Sequence, residues 1–385
     1  KTVQVSYDNV FKIQKDISDD IVEGLEYELQ PDEITLLETK HNVDPVAYDY
    51  YLKAKSNDDI AGLDYIQNAE YKFDLIDRAV KIDSNFGDAW SVRGGQANFL
   101  SRSGIESKKY RSIAKESHSK AIELSPNSLA IINRSAGYFA ESGDVEKSTE
   151  MLLNGMRNSG GSVASLYSSM GYILRYAGLM EESIGVYRKS LTLDNTELTR
   201  ERRLLQSAKS YIYQQRYSEA KDLFNTAIKV IKKHNKAIPD HLFYQAMPYI
   251  YLNQNDKASL YLDDMFEIDD KGAWVFIGQA YNWLLKRDLG KGKEYVDKLE
   301  EMGITDSEMK YRFTHFYIML NDEAKALSAL EEAVDSGFFC YSYIQSDPLT
   351  KPIHNNPKFK QIVEKAKLRH ELYVKRFGAE IKSVI

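Results

Sequence analysis

Small residues recur along the chain at Ala114, Ser148, Ser183, Ala220, Ala258, Gly292 and Ala326, at spacings of 34, 35, 37, 38, 34 and 34 residues. Four residues beyond each stand His118, Leu152, Tyr187, Phe224, Leu262, Val296 and Leu330, and three further on Ala121, Gly155, Ser190, Ala227, Met265, Leu299 and Ala333. A set of this kind at i, i+4 and i+7 is one face of a helix. A second register precedes it. Nine residues before the small position come Phe139, Leu174, Tyr211, Tyr249, Trp283 and Tyr317, and three before those Ala136, Gly171, Ala208, Ala246, Ala280 and Thr314. Small residues let two helix backbones approach, and the bulky ones fill the space beside the contact. Turn signals such as Ser142-Gly143-Asp144, Ala177-Gly178 and Leu320-Asn321-Asp322 fall between the two registers. The pattern predicts an all-α chain of antiparallel helix pairs, each about 34–38 residues long. With 8 prolines and 21 glycines, the chain is poor in the turns an all-β fold requires.

A helix–turn–helix unit of this length, with small residues at its eighth, twentieth and twenty-seventh positions, resembles the tetratricopeptide (TPR) repeat. Tyr167, Gly171, Gly178, Tyr187 and Asp194 show it best. The resemblance implies a right-handed α–α superhelix of about eight pairs over residues 45–335, the first pair degenerate, with Lys72 where a small residue belongs. The unit from Asp88 to Ser128 is about eight residues too long, and the excess is placed near Arg102–Lys109. Residues 1–44 read as a lead-in helix, and residues 336–385 as a loop followed by a capping helix carrying Phe359, Ile362, Val363, Ala366, Tyr373, Val374 and Phe377 on one face.

The ends carry a narrower resemblance. Tyr7–Ile17, followed by Asn42, Asp44-Pro45 and Tyr51-Leu52, resembles the junction where a TolB-like domain passes into the C-terminal TPR region of bacterial signalling proteins. Those proteins carry a cyclase, a winged-helix domain or a kinase upstream. Ser346-Asp347-Pro348-Leu349 and Asn356-Pro357-Lys358-Phe359 resemble the closing segment of the same arrays, with His354 where an arginine is usual. The resemblance implies the sensory or interaction part of a bacterial signalling or transcription-regulatory protein, on either the cytoplasmic or the periplasmic side. A chain that starts at Lys1 reads as a fragment or a processed product.

The chemistry-bearing residues form no catalytic constellation. No HExxH, GxSxG, Walker or GxGxxG motif stands in a suitable context, and Gly290-Lys291-Gly292-Lys293 reads as a helix–helix turn. Cys340 and His118 read as core residues, and one cysteine excludes a disulfide or a cysteine-built zinc site. The expectation is a non-enzymatic chain with no cofactor and no metal. A net charge of −6 argues against non-specific nucleic-acid binding, and no run approaches the roughly 18 apolar residues of a membrane span.

In TPR geometry the second, fifth and ninth residues of the first helix of each pair line the concave groove. The resemblance therefore assigns partner binding to Tyr172, Arg175, Arg202, Lys209, Phe243, Met247, Trp274, Tyr281, Tyr311 and His315. The polar positions include Asn133, Gly137 and Ser168. Aromatic and methionine surface of this kind marks a docking site for a protein segment, with Arg175, Arg202 and Lys209 steering acidic groups. Truncating Phe243 and Tyr281 to alanine is expected to weaken a partner while leaving the helices intact. No three successive units supply Lys and Asn at the fifth and ninth positions, so the grip of TPR co-chaperones on an acidic C-terminal peptide is not expected. The alternative occupants are the chain's own C-terminal segment, a small molecule to be sensed, or a second copy in an architectural role.

Overall fold

The computed structural model describes residues 43–56, 63, 65–233, 239–268 and 272–385. The expected lead-in helix and the Tyr7–Ile17 motif lie outside the described residues. Helices α1 (Pro45–Lys55) and α2 (Tyr65–Ile82) form the first pair, and α3 (Gly87–Arg102) and α4 (Ser107–Leu124) the second. They are followed by α5 (Leu129–Glu141) with α6 (Val145–Asn158), α7 (Ala164–Tyr176) with α8 (Met180–Leu193), and α9 (Glu197–Tyr213) with α10 (Tyr217–Lys233). Then come α11 (Pro239–Tyr251) with α12 (Asn255–Ile268), α13 (Ala273–Leu285) with α14 (Leu289–Glu301), and α15 (Ser307–Met319) with α16 (Glu323–Asp335). A short helix α17 (Tyr341–Ser346), a 3-10 turn (Pro348–Ile353) and the long α18 (Pro357–Val384) follow. There is no strand among the described residues. The fold is the all-α solenoid of helix pairs that the periodicity predicts.

The residues that define the repeat are the ones at which helices touch. A Cβ on Gly171 of α7 would stand 2.6 Å from the Tyr187 ring of α8, and one on Gly94 of α3 would stand 2.9 Å from the His118 ring of α4. Neither position has room for a side chain, so the ring of one helix lies on the backbone of the other. The turns between helices place Gly178 at φ +82° and Asn321 at φ +60°, the left-handed region that glycine and asparagine tolerate best. Asp144, Asp288 and Asp322 then open the next helix by accepting the backbone N–H of Lys147, Lys291 and Lys325. The Gly290–Lys293 stretch accordingly lies in the first turn of α14, not in a turn between helices.

The array curls back on itself. The excess of the second unit is helical: α3 and α4 have 16 and 18 residues, against 13 and 14 in α5 and α6. The turn joining α3 to α4 meets the turn between α14 and α15, where Ser107 Oγ donates to the Met302 carbonyl and Arg111 reaches the Gly303 carbonyl at 3.2 Å. The length irregularity seen in the sequence is thus a point of long-range contact. Helix α18 covers the end of the array, burying Phe359, Ile362, Ala366, Tyr373 and Phe377, while Val374 stays exposed. It also reaches back to α6: Arg369 pairs with Glu146 at 2.8 Å and Tyr373 meets the Thr149 hydroxyl at 2.5 Å.

Candidate functional site

The first helices of the pairs, α5, α7, α9, α11, α13 and α15, pack side by side and line the concave face. The chain's own segment 336–353 enters this face, packing on the C-terminal ends of α7, α9 and α11 and on the first half and middle of α15. Phe339 N–H donates to the carbonyl of Tyr176 at the end of α7. The Phe338 ring packs against Tyr176, Tyr213 and Tyr311 with centroids 5.1–6.1 Å apart, and Tyr343 stacks on Tyr213 at 4.0 Å. Asp347, at the head of the motif singled out in the tail, is buried. It accepts from the Tyr311 hydroxyl and from His315 Nε2, each at 2.9 Å. Since a carboxylate only accepts, His315 donates through Nε2 and takes the Tyr281 hydroxyl, 2.5 Å away, on Nδ1. Burial would raise the Asp347 pKa, but His315 outweighs it and holds the carboxyl below its usual range.

Beneath the segment, α7 meets α15 directly. Arg175 grips Glu308 with both ends of its fork, Nε to Oε1 at 2.9 Å and Nη2 to Oε2 at 3.0 Å. Tyr213 donates to the same carboxylate at 2.6 Å and accepts from Arg312 Nη2 at 2.6 Å. Burial opposes the charge on Glu308, yet Arg175, with Lys209 and Arg312 behind it, holds the pKa at about 2. At the neighbouring contact Tyr172 and Tyr176 both donate to Asp306 Oδ2, at 3.1 and 2.9 Å.

The positions assigned to the groove therefore have different fates. Phe243, Met247, Tyr281, Tyr311 and His315 are fully buried, and Phe243 and Tyr281 face each other with ring centroids 5.3 Å apart. Their burial overturns the expectation that truncation would spare the fold. Arg175 is a buried ion-pair partner, and Lys209 is buried with its ammonium 3.9 Å from the Tyr244 ring centroid. Tyr172 and Trp274 are half-buried, and Arg202 alone of the set is exposed. Glu308 and Arg312 went unnoticed in the sequence, although Glu308 occupies the second position of its unit, a register that faces the groove. Cys340 is buried, and burial pushes its thiol up to about 12, which leaves no nucleophile at neutral pH. His118 is packed as expected, its Nδ1 3.1 Å from the Ser135 hydroxyl.

The less buried positions of this face lie on α5, α7, α9 and α13. On α5 a Cβ on Gly137 would meet nothing within 4 Å, while the Asn133 side-chain oxygen is buried and has no hydrogen-bond partner among the described residues. Ser168 on α7 and Trp274 on α13 are half-buried, and Arg202 on α9 is exposed.

No protein-family model matches the chain, and no curated protein matches it in sequence. Among solved structures it is similar to the APC/C hetero-tetramer Cut9–Hcn1, with a TM-score of 0.52 at 13% identity, over 93% of this chain and 67% of that chain. It also resembles yeast Tom70, with a TM-score of 0.44 at 15% identity over 84% and 69% of the two chains. A tetratricopeptide repeat protein from Parabacteroides merdae gives a TM-score of 0.34 at 18% identity over 67% and 97%. At these identities the likeness is one of fold, and the chain has the fold of a tetratricopeptide-repeat protein.

Proposed function

We propose that this chain is a non-catalytic protein-interaction module that docks an extended segment of a partner protein across the less buried part of its concave face. The observation that carries the reading is the division of that face. Aromatic positions of the face are covered by segment 336–353, while Gly137 on α5 has open space beside it, Ser168 and Trp274 are half-buried and Arg202 is exposed. Gly137 leaves a docked backbone room, and Trp274 offers a rigid flat surface at one side. In this reading Arg175, Lys209, Phe243, Met247, Tyr281, Tyr311 and His315 act beneath the site by holding its floor, and Tyr172 links floor and rim.

The setting we infer for this module is a bacterial signalling or regulatory protein. That inference rests on the likeness of Tyr7–Ile17 and Ser346–Phe359 to the two ends of such arrays. The structure gives Asp347 of that tail motif a physical role as the buried acceptor for Tyr311 and His315.

The test is a selection of binders from a displayed random-peptide library with the full chain, followed by calorimetry on Gly137→Trp. A Cβ at this position meets nothing within 4 Å, so the indole starts into open space. Selected peptides should lose at least about tenfold in affinity with the melting temperature unchanged. Equal binding to Gly137→Trp would overturn the reading.

A further inference from the structure

We propose that helices α1 to α4 form an arm that swings against the rest of the array, and that the contact between the α3–α4 turn and the α14–α15 turn is the clasp that holds it shut. The inference goes beyond the docking reading and holds whatever occupies the concave face.

The array closes on itself twice, by contacts of different kinds. At the inner closure, where α7 meets α15, Arg175, Glu308 and Tyr213 are buried and bonded to one another. At the clasp the contacts are few and near water. Ser107 Oγ donates to the Met302 carbonyl at 2.6 Å, and the exposed Arg111 donates to the carbonyl of the exposed Gly303 at 3.2 Å. The half-buried Met302 side chain lies on the Gly104 backbone, where a Cβ would come within 2.9 Å of three of its carbons. Arg102 stands beside them, paired with Glu141 at 2.8 Å and drawn electrostatically toward Asp306 at the head of α15. The two turns owe their shape to the backbone. Gly104 (φ +87°), Glu106 (φ +37°) and Gly303 (φ +63°) all occupy the left-handed region, which is costly for Glu106.

The arm also has cores of its own. Ile76, Ala79, Phe86 and Ala89 belong to one small cluster, and Ala97, Leu100, Tyr110 and Ala114 to another. Neither is part of the cluster that runs from Ile132 to Ile381. The ring that bridges to α5 is Tyr138, stacked on His118 with centroids 4.7 Å apart. Around it the joint is hydrogen-bonded. His118 Nδ1 stands 3.1 Å from the Ser135 hydroxyl, Arg134 donates to the Ser91 hydroxyl at 3.0 Å, and Asn98 and Arg102 donate to Glu141 at 2.8 Å. Such bonds exchange for water at small net cost when two surfaces part, whereas dividing one continuous apolar core exposes it. Two bodies with separate cores, joined by a short link at residues 125–128, are built to move as a hinge. Release of the clasp parts the second helix pair from the turn after the seventh, while Arg175 and Glu308 keep the inner closure.

The experiment measures the distance between spin labels attached at Lys115→Cys on α4 and Glu294→Cys on α14 of the full chain, both exposed positions, with Cys340 buried away from the label. With the clasp intact, one narrow distance is expected. Adding Met302→Ala and Arg111→Ala should bring in a population at longer distance, with the melting temperature lowered far less than by Glu308→Gln. A separate variant without labels, Ser107→Cys/Gly303→Cys, tests the closed state. A Cβ on Gly303 stands 3.7 Å from that of Ser107, inside the range of about 3.5–4.5 Å that a disulfide spans. Oxidised glutathione should therefore cross-link the folded chain to completion, the two thiols giving up their hydrogens to form reduced glutathione. A distance unchanged by Met302→Ala/Arg111→Ala overturns the proposal, since the arm is then rigid without its clasp. Failure to cross-link in a variant that still melts cooperatively overturns it too, because the turns then do not meet in solution. So does a melting temperature that falls as far with Met302→Ala/Arg111→Ala as with Glu308→Gln, which would make the clasp a support of the whole ring.

Discussion

Glu308 concentrates the electrostatics of the molecule in one side chain. It is buried, clasped by Arg175, touched by Tyr213 and faced by Lys209 and Arg312. Replacing it with Gln would leave Arg175 buried without a charge partner, which costs about 3–5 kcal/mol. The pH dependence has a defined sign. The carboxyl ionises at about 2 in the folded chain against 4.5 ordinarily, so its stabilisation is complete above 4.5 and is lost as pH falls toward 2. His118 acts in the same direction higher up. Burial holds it neutral down to about 3 against an ordinary 6.5, so below 6.5 the unfolded chain takes up the proton first and stability falls. The melting temperature should therefore drop progressively between about pH 7 and pH 3, with the acid limb flattened in Glu308→Gln. A melting temperature independent of pH over that span would refute both assignments.

At the scale of the element, segment 336–353 behaves as part of the core. Phe338, Phe339, Cys340, Tyr343, Ile344 and Asp347 are all buried, although the segment follows the last full helix pair. Gly337, at φ +113°, starts its passage into the groove, and its Cα approaches Gly143 so closely that a Cβ would stand 3.0 Å away. Because the Phe338 ring touches three tyrosines on α7, α9 and α15, Phe338→Ala should destabilise the chain by about 3–5 kcal/mol. Phe338→Leu should cost about half as much, since it keeps most of the volume. Urea titration of both variants measures this. A loss under about 1 kcal/mol for the alanine variant would mean that the segment sits on the groove without holding it.

The whole molecule departs from the behaviour of an open solenoid, in which each repeat touches only its neighbours and stability is a sum of local terms. Here Arg175 and Glu308 are 133 residues apart in the chain, Ser107 and Met302 are 195 apart, and Arg369 and Glu146 are 223 apart. One continuous buried cluster runs from Ile132 to Ile381, whereas α1 and α2 meet α3 in a separate, smaller one. Hydrogen exchange should accordingly show α7 to α18 opening as one unit near the global rate, with α1 and α2 opening first. Independent exchange of α15–α16 and α7–α8 would show that the long-range contacts carry no coupling. What the sequence determined by itself is whatever repeats locally: the helix pairs, their register, the glycines and alanines at their contacts, the capping aspartates and the absence of a catalytic motif. These follow from periods of 3.6 and about 34 residues, which any single unit displays. Only the tertiary structure decided which groove positions are open. That depends on how small rotations between units accumulate until α15 meets α7, and on a tail whose aromatic residues read the same whether they face water or another helix. Tyr172 to Tyr311 reads as one surface in the sequence, and closure buries most of it, leaving Arg202 exposed and Tyr172 and Trp274 half-buried.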